Sequence, residues 1–338
     1  MKRKGIASGG NLIVDYVKIV DSYPRQGNLS SIFEISRSTG GAVANVLIDL
    51  ARMDGSIPLM AIGLVGDDEN GEYVVGQLEK NNIDVDQVKV HPSLGTSFTD
   101  VMSVIASGER TFFHYRGANA DLSCADFDFS RINADVLHVG YALLLDSMDS
   151  FDEGYGTVMA KTLALAQKAG LRTSIDVVSE NSDRFSKIVP PGLRYTDYCI
   201  INEVEASMIT GIEARGDNER IDKNNLRKIC EKLFEMGVGY WTVIHSPEMG
   251  CGMDKSGNFF IQPSIEVAPE YIKGKVGAGD AFCAGILYSA YCGYDLKEAV
   301  GIALTAAVCN LSEANATDGM KPIKEAMDIF RNYPRMSL

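Results

Sequence analysis

A chain of 338 residues is long enough to bury a sizeable core, as one large domain or two smaller ones. Its hydrophobic share of 46% and charged share of 23% are those of an ordinary soluble globular protein. A net charge of −13 argues against a nucleic-acid binder, so an anionic ligand must find positive potential locally, in loops and helix ends. The start Met1-Lys2-Arg3-Lys4 is basic, but no apolar stretch or cleavage site follows, so neither a signal peptide nor a membrane span is predicted. The seven cysteines lack paired spacing, and Cys199, Cys283 and Cys309 sit in apolar runs. They read as reduced core thiols of a cytoplasmic protein.

In chain order, Gly5 to Asp15 reads as a strand ending in Asp15, followed by short strands at Val17–Val20 and Ser31–Ser36. Thr39-Gly40-Gly41 opens a helix with Val43, Val46, Leu47 and Leu50 on one face. Leu59 to Val65 is a buried strand, and Asp67-Asp68-Glu69 starts a helix that runs to about Lys80. From Val85 to Tyr115, alternation and turns at Pro92-Ser93 and Ser107-Gly108 predict antiparallel strands exposed on one side. Strands at Val136–Val139, Thr173–Val177, Tyr198–Ile201 and Trp241–Ile244 then alternate with helices at Gly156–Ala169, Glu203–Thr210 and Lys223–Met236. That rhythm predicts βαβ units and a parallel sheet covered on both faces. A hairpin region at Gly250–Ile265 precedes helices at Ala281–Tyr291, Leu296–Ser312 and Ile323–Arg331. The expected organisation is one α/β domain over residues 1–338, with a small β lid from about 15–38 and 85–118.

The stretch Val276-Gly277-Ala278-Gly279-Asp280 is a glycine-punctuated turn feeding a helix. Free backbone N–H groups and the helix dipole make such a start a place for phosphate oxygens, and Asp280 beside it is placed to accept a proton from a hydroxyl. The same residues also read as a plain helix cap. Asp15 falls at a strand end, where open α/β sheets bind ligands, or is a turn residue. Gly40-Gly41 with Asn45 suits hydrogen bonding to a polyol, or an ordinary strand-to-helix turn. Asn202 and Glu205 are spaced to face one magnesium ion through water, or to form a capping box. The four histidines show no metal-ligand spacing. Tyr271 to Val276 lacks the first glycine and the Ser/Thr of a P-loop, and no G-x-G-x-x-G follows the first strand.

Together these residues resemble the ribokinase-like (PfkB) family of carbohydrate kinases over nearly the whole chain. Gly40-Gly41-Ala42-Val43-Ala44-Asn45 and Gly277-Ala278-Gly279-Asp280-Ala281-Phe282 carry the match. Asp15, the run Gly66 to Gly71, and Asn202-Glu203-Val204-Glu205 support it in order. The resemblance implies a three-layer α/β sandwich with a mostly parallel central sheet, and MgATP-dependent phosphorylation of a sugar hydroxymethyl group. Asp280 would be the base, and the amides of Gly277, Ala278 and Gly279 the anion hole. Asp15, Gly40, Gly41 and Asn45 would hold the substrate. Arg116 would bind an acidic sugar, or is simply an exposed charge. Asn202 and Glu205 would act through the Mg2+ shell, with Glu205 reaching the metal through water. Such lids exclude water and also make homodimer contacts in this family. A nucleoside kinase using Phe98, Phe113 and Tyr115 for stacking, or a silent sugar- or nucleotide-binding regulator, are the alternatives.

Two departures stand out. Gly274-Lys275 occupy positions where many members carry Asp-Thr, so no dependence on a monovalent cation is expected, and Lys275 would supply charge beside the anion hole. In the nucleotide loop, His245-Ser246-Pro247-Glu248-Met249-Gly250 keeps only the last glycine of the family pattern. Pro247 lacks an N–H and Glu248 adds negative charge near the expected ATP.

Overall fold

The first predicted strand is two strands in the structure, a computed structural model that describes residues 3–107, 109–180 and 182–338. Met1, Lys2 and Gly108 of the predicted turn lie outside the described residues. Strand β1 (Ile6–Gly10) ends where Gly10 adopts φ 138° against the carbonyl of Gly140, which a Cβ would strike at 1.7 Å. Asn119 then takes both backbone groups of Leu12, accepting from its N–H at 3.3 Å and donating to its carbonyl at 3.0 Å. The chain resumes as β2 (Ile13–Val20), in a different sheet. Asp15 is therefore inside a strand, not at the end of one.

β3 (Ile32–Gly40), α1 (Ala42–Met53), β4 (Leu59–Val65), α2 (Glu69–Lys80), β5 (Asp84–Val90), β6 (Ser97–Val104) and β7 (Arg110–Tyr115) follow. Next come β8 (Val136–Ala142), α3 (Asp146–Asp149), the short pair β9 (Phe151–Asp152) and β10 (Gly156–Thr157), α4 (Val158–Lys168), β11 (Arg172–Val177) and α5 (Phe185–Leu193). The chain continues through β12 (Tyr198–Asn202), α6 (Glu203–Thr210), α7 (Lys223–Glu235), β13 (Trp241–His245), β14 (Met249–Asp254) and β15 (Phe259–Pro263). It closes with α8 (Ala278–Cys292), α9 (Leu296–Asn310) and α10 (Ile323–Asn332). The helix α5 was not anticipated, because Pro190-Pro191 reads as a stop; the pair sits near the end of this short helix.

The main sheet has nine strands in the order β15-β14-β13-β12-β11-β8-β1-β4-β5. From β13 to β5 all neighbours are parallel, and the hairpin β14-β15 adds an antiparallel edge. Alternate residues serve opposite faces: Tyr198 and Ile200 pack with α1, α8 and α9, while Cys199 and Ile201 pack with α4 to α7. That two-sided burial makes the strands near-continuous apolar runs, and it is the three-layer sandwich that the βαβ rhythm predicts.

The small sheet has the order β3-β2-β6-β7. It departs from expectation in two ways. Residues 84–90 belong to the main sheet, paired parallel with β4, because the half-buried β5 extends that sheet's edge. Within the small sheet β2 and β6 are parallel, since the β4-α2-β5 unit lies between them in sequence.

Helix α8 carries the glycine-rich turn, and its position is set by packing. Phe282, Ile286 and Leu287 are fully buried, each contributing about 1.5–3 kcal/mol of transfer free energy, against about 1 kcal/mol for a cap. Its closest neighbour is α9, where a Cβ on Gly285 would lie 2.5 Å from the Cα of Ala303. Gly285→Ala should therefore destabilise the protein. The gain of about 1 kcal/mol in helix propensity is outweighed by overpacking of about 1–3 kcal/mol against backbone. Urea unfolding should show a lower midpoint at unchanged slope.

Candidate active site

Asp280 is in the first turn of α8 and is buried. Two neutral donors hold it: Asn45 Nδ2 reaches Oδ2 at 2.8 Å, and the Tyr141 hydroxyl reaches Oδ1 at 2.5 Å. Burial raises its pKa, and the two hydrogen bonds offset part of that rise. The turn before it needs glycine, because Gly277 has φ 75° and a Cβ there would meet Ala316 at 2.6 Å. Ala278 and Gly279 open the helix without a side-chain cap, so their N–H groups have no helical acceptor.

Asn45 reaches Asp280 because α1 starts at a tight turn. Gly41 has φ 85°, and a Cβ there would lie 2.4 Å from the Asn11 carbonyl. At Gly40 a Cβ would lie 2.4 Å from the Asp15 carboxylate, so the glycine makes room for that side chain. Asp15 is opposite Thr99 on β6, which is opposite His114 on β7, and all three face one cavity. Thr99 Oγ1 and His114 Nδ1 are 3.0 Å apart. Burial pushes Asp15 up to about 6, with Thr99 lowering it and Asp280 raising it further. His114 is pushed down by burial and by the Arg116 charge.

This cavity, of about 520 Å³, is closed on its other side by Asp176 to Glu180, at and beyond the end of β11, and by Asn202 and Glu205. Its volume suits a small polar molecule. The capping-box reading of Asn202 and Glu205 holds. Asn202 Oδ1 accepts from the N–H groups of Val204 and Glu205, and Glu205 Oε2 accepts from the N–H of Asn202 at 3.0 Å, a complete capping box. Ser179 donates to the remaining Glu205 oxygen at 2.7 Å, so a metal approaching here would be met through water rather than bound directly. Burial lifts Glu205 to about 7.

A second cavity, of about 670 Å³, meets the first at Asn202, His245 and Gly279. Lys275 and Ala278 line it beside Val267, Leu304, Val308 and Leu311. His245 stacks on Phe282 at 4.8 Å, and burial pushes its pKa down to about 4, so it is a neutral ring between the cavities.

Three expected contacts lie elsewhere. Gly250 is buried in β14 against Phe282 and Val300, where a Cβ would come within 2.9 Å, and it lines neither cavity. Arg116 is paired with Asp146 at 3.0 Å and is not on the cavity wall. Glu248 does not add free charge to the second cavity: Arg215 grips both its oxygens, at 2.9 and 3.0 Å, and holds its pKa near 2.

A model of the pfkB family of carbohydrate kinases matches residues 3–323. The chain belongs to that family. It is a carbohydrate kinase, a phosphotransferase acting on an alcohol group. It is 23% identical over 310 residues to the 5-dehydro-2-deoxygluconokinase of Clostridium perfringens, covering 89% of this chain and 86% of the relative. It is 27% identical over 289 residues to a probable chloroplastic fructokinase of Arabidopsis thaliana, covering 82% and 68%. The ribokinase of Arabidopsis thaliana, solved with ribose and ATP, superposes with a TM-score of 0.79 at 19% identity, covering 97% of this chain and 99% of that one. The ribokinase of Thermotoga maritima gives 0.78, also at 19% identity, covering 97% and 100%. The fold of this kinase is thus ribokinase-like.

Several residues at the site of this kinase escaped the sequence reading. Tyr141, Asp176, Thr99 and His114 line the first cavity, yet none belongs to a motif. Position at the carboxyl end of a strand was the available signal for Tyr141 and Asp176. Of the aromatics considered for stacking, Phe98, Phe113 and Tyr115 do not line the cavity, whereas Phe112 does, because neighbours in a strand point oppositely. Among the described helices, none is long and apolar enough to cross a membrane.

The gathered acids have a measurable consequence. Asp15 and Glu205 are raised to about 6 and 7, so the folded protein holds protons that the unfolded chain releases. The stability they contribute is complete below about pH 4 and is lost as pH rises through those values. The ligand-free protein should melt at a higher temperature at pH 5 than at pH 7.5, and Glu205→Gln should flatten that difference. Thermal melts across this range provide the check.

Proposed function

We propose that the kinase transfers the γ-phosphoryl group of ATP to a hydroxymethyl group of a sugar or related polyol, with Asp280 as general base. The observation that carries this reading is the meeting of two cavities at the start of α8, with Asp280 facing the first and Lys275, Ala278 and Gly279 in the second. The acceptor occupies the first cavity and the nucleotide the second, where Leu304, Val308 and Leu311 offer an apolar surface for the base. Asp280 takes the hydroxyl proton, the hydroxyl oxygen bonds to the γ-phosphorus, and the bond to the bridging oxygen breaks, releasing ADP. The N–H groups of Gly277, Ala278 and Gly279 face the charge that develops on the phosphoryl oxygens. Tyr141 and Asn45 keep the carboxylate oriented and oppose its burial-raised pKa. Asp15, Gly40, Gly41 and Asn45 hold the acceptor.

Magnesium, when bound with ATP, neutralises phosphate charge; the hydrogen-bonded Glu205 and Asn202 suit its water shell rather than its inner sphere. The small sheet acts as a lid that excludes water, since β2, β6 and β7 supply Asp15, Thr99, Phe112 and His114 to the cavity wall. In this reading the chain is one domain with that lid. The exposed Phe33, Ile35 and Phe113 of the sheet favour a homodimer through it.

Asp280→Asn should lower kcat by about 10²–10⁴-fold while leaving acceptor binding within a few-fold, measured by steady-state kinetics and calorimetry. Equal turnover by the two proteins would remove Asp280 from this role. Tyr141→Phe deletes a hydrogen bond that lowers the Asp280 pKa, so the acid limb of the kcat/KM profile should move to higher pH.

Potassium should not activate this enzyme. A Cβ on Gly274 would lie 2.7 Å from the carbonyl of Ala314 and 2.8 Å from that of Glu313, which leaves no room there for a cation-binding carboxylate. Lys275, exposed and lining the nucleotide cavity, supplies positive charge beside the anion hole instead. Initial rates should agree in potassium and in a bulky organic cation, and strong activation by potassium would refute this.

A further inference from the structure

Charge around the acceptor cavity is one-sided. Among the described residues lining it are the carboxylates Asp15, Asp176, Glu180, Glu205 and Asp280, with no lysine or arginine. The histidines of the wall, His114 and His245, are held toward their neutral forms by burial. Asp176 is poorly satisfied. It is more than nine-tenths buried and accepts a hydrogen bond only from the N–H of Val177, next to it in the chain. A carboxylate in that state needs a donor from whatever fills the cavity.

Two guanidinium groups stand behind this wall, and both are occupied. Glu180 Oε1 accepts from Arg184 Nε at 2.9 Å, and Glu180 Oε2 lies 4.0 Å from Arg116. Asp146 takes the other side of Arg116 at 3.0 Å. The carbonyl of Leu143 accepts from Arg184 at 2.8 Å, and Asp149 lies 3.7 Å from it. Both guanidinium groups are ion-paired with acids, and neither lines the cavity wall.

We propose that the acceptor of this kinase carries no acid group, and that Glu180 enforces this by occupying Arg116 and Arg184. The acceptor is an uncharged polyol whose hydroxyls donate to Asp15 and Asp176. Above about pH 7, where Asp15 and Glu205 ionise, a carboxylate or phosphate on the acceptor meets like charge in a partly dry cavity, which weakens its binding at least about tenfold. The inference rests on the reading that this cavity holds the acceptor. It chooses between the acceptor types suggested by the relatives' names, a gluconokinase and fructokinases, in favour of the neutral one.

The test compares matched pairs that differ by a hydroxymethyl group against a carboxylate, each acid keeping one hydroxymethyl group to be phosphorylated: fructose with fructuronate, and glucitol with gluconate. Binding is measured by calorimetry without ATP, and turnover with ATP. In the wild type the acid member of at least one pair should bind at least about tenfold more weakly than its neutral partner. In Glu180→Ala the freed arginines should shift the acid-to-neutral ratio at least about tenfold toward the acid, and adding Arg116→Ala should reverse part of that shift. Thermal melts establish that each variant is folded, and Glu180→Gln serves if the alanine variant is not. No difference between the classes in the wild type, or a preference for the acid, overturns the proposal, as does an unchanged ratio in the folded Glu180 variants. A neutral preference in binding with no phosphorylation of any acceptor would uphold it and strike instead at the proposed phosphoryl transfer.

Discussion

A carboxylate buried at the start of a helix, and held there by two uncharged donors from other parts of the chain, is the constraint on which the site depends. Asp280 cannot be placed by α8 alone. Asn45 reaches it from α1 and Tyr141 from the end of β8, so three segments far apart in sequence must be in register. Neither donor carries a charge that would fix the carboxylate as a salt bridge. The result is an acid whose protonation is biased by burial yet still tuned by two hydrogen bonds, which suits a group that must gain and lose a proton.

The same economy explains how an acidic protein handles anions. Positive potential comes from the N-terminal turn of α8 and from Lys275, concentrated where the two cavities meet, rather than from a basic surface. Carboxylates dominate the wall of the other cavity. The two halves of the site thus have opposite electrostatic characters within one groove. Arg215 contributes by pairing with Glu203 and Glu248 at the far rim.

The break between β1 and β2 links this chemistry to the architecture. Gly10 turns against Gly140, and Asn119 satisfies Leu12 in place of a neighbouring strand. The chain thereby leaves the main sheet and enters the small one within a few residues. Asp15 is carried over the cavity mouth and sits beside Gly40, which yields space for it. Asn11 joins the same corner, accepting from the Tyr141 N–H at 2.6 Å, so the corner that redirects the chain also seats a residue that holds Asp280.

The sequence by itself determined the layered α/β fold, because strands buried on both faces and amphipathic helices leave separate periodicities in the chain. It also grouped Gly40, Gly41, Asn45, Gly277, Gly279 and Asp280 through its resemblance to the PfkB family, although by turn geometry alone they read equally as helix starts. It carried no sign that Gly5 to Asp15 is two strands or that residues 84–90 leave the small sheet. Both outcomes turn on contacts with Gly140, Asn119 and β4, which are remote in the chain. Only the tertiary structure showed that Gly250 packs against Phe282 and that Glu248 is neutralised by Arg215. Only it brought Tyr141, Asp176 and Glu180 to the wall of one cavity. A spacing rule sees neighbours along the chain, whereas desolvation and charge pairing are decided by neighbours in space.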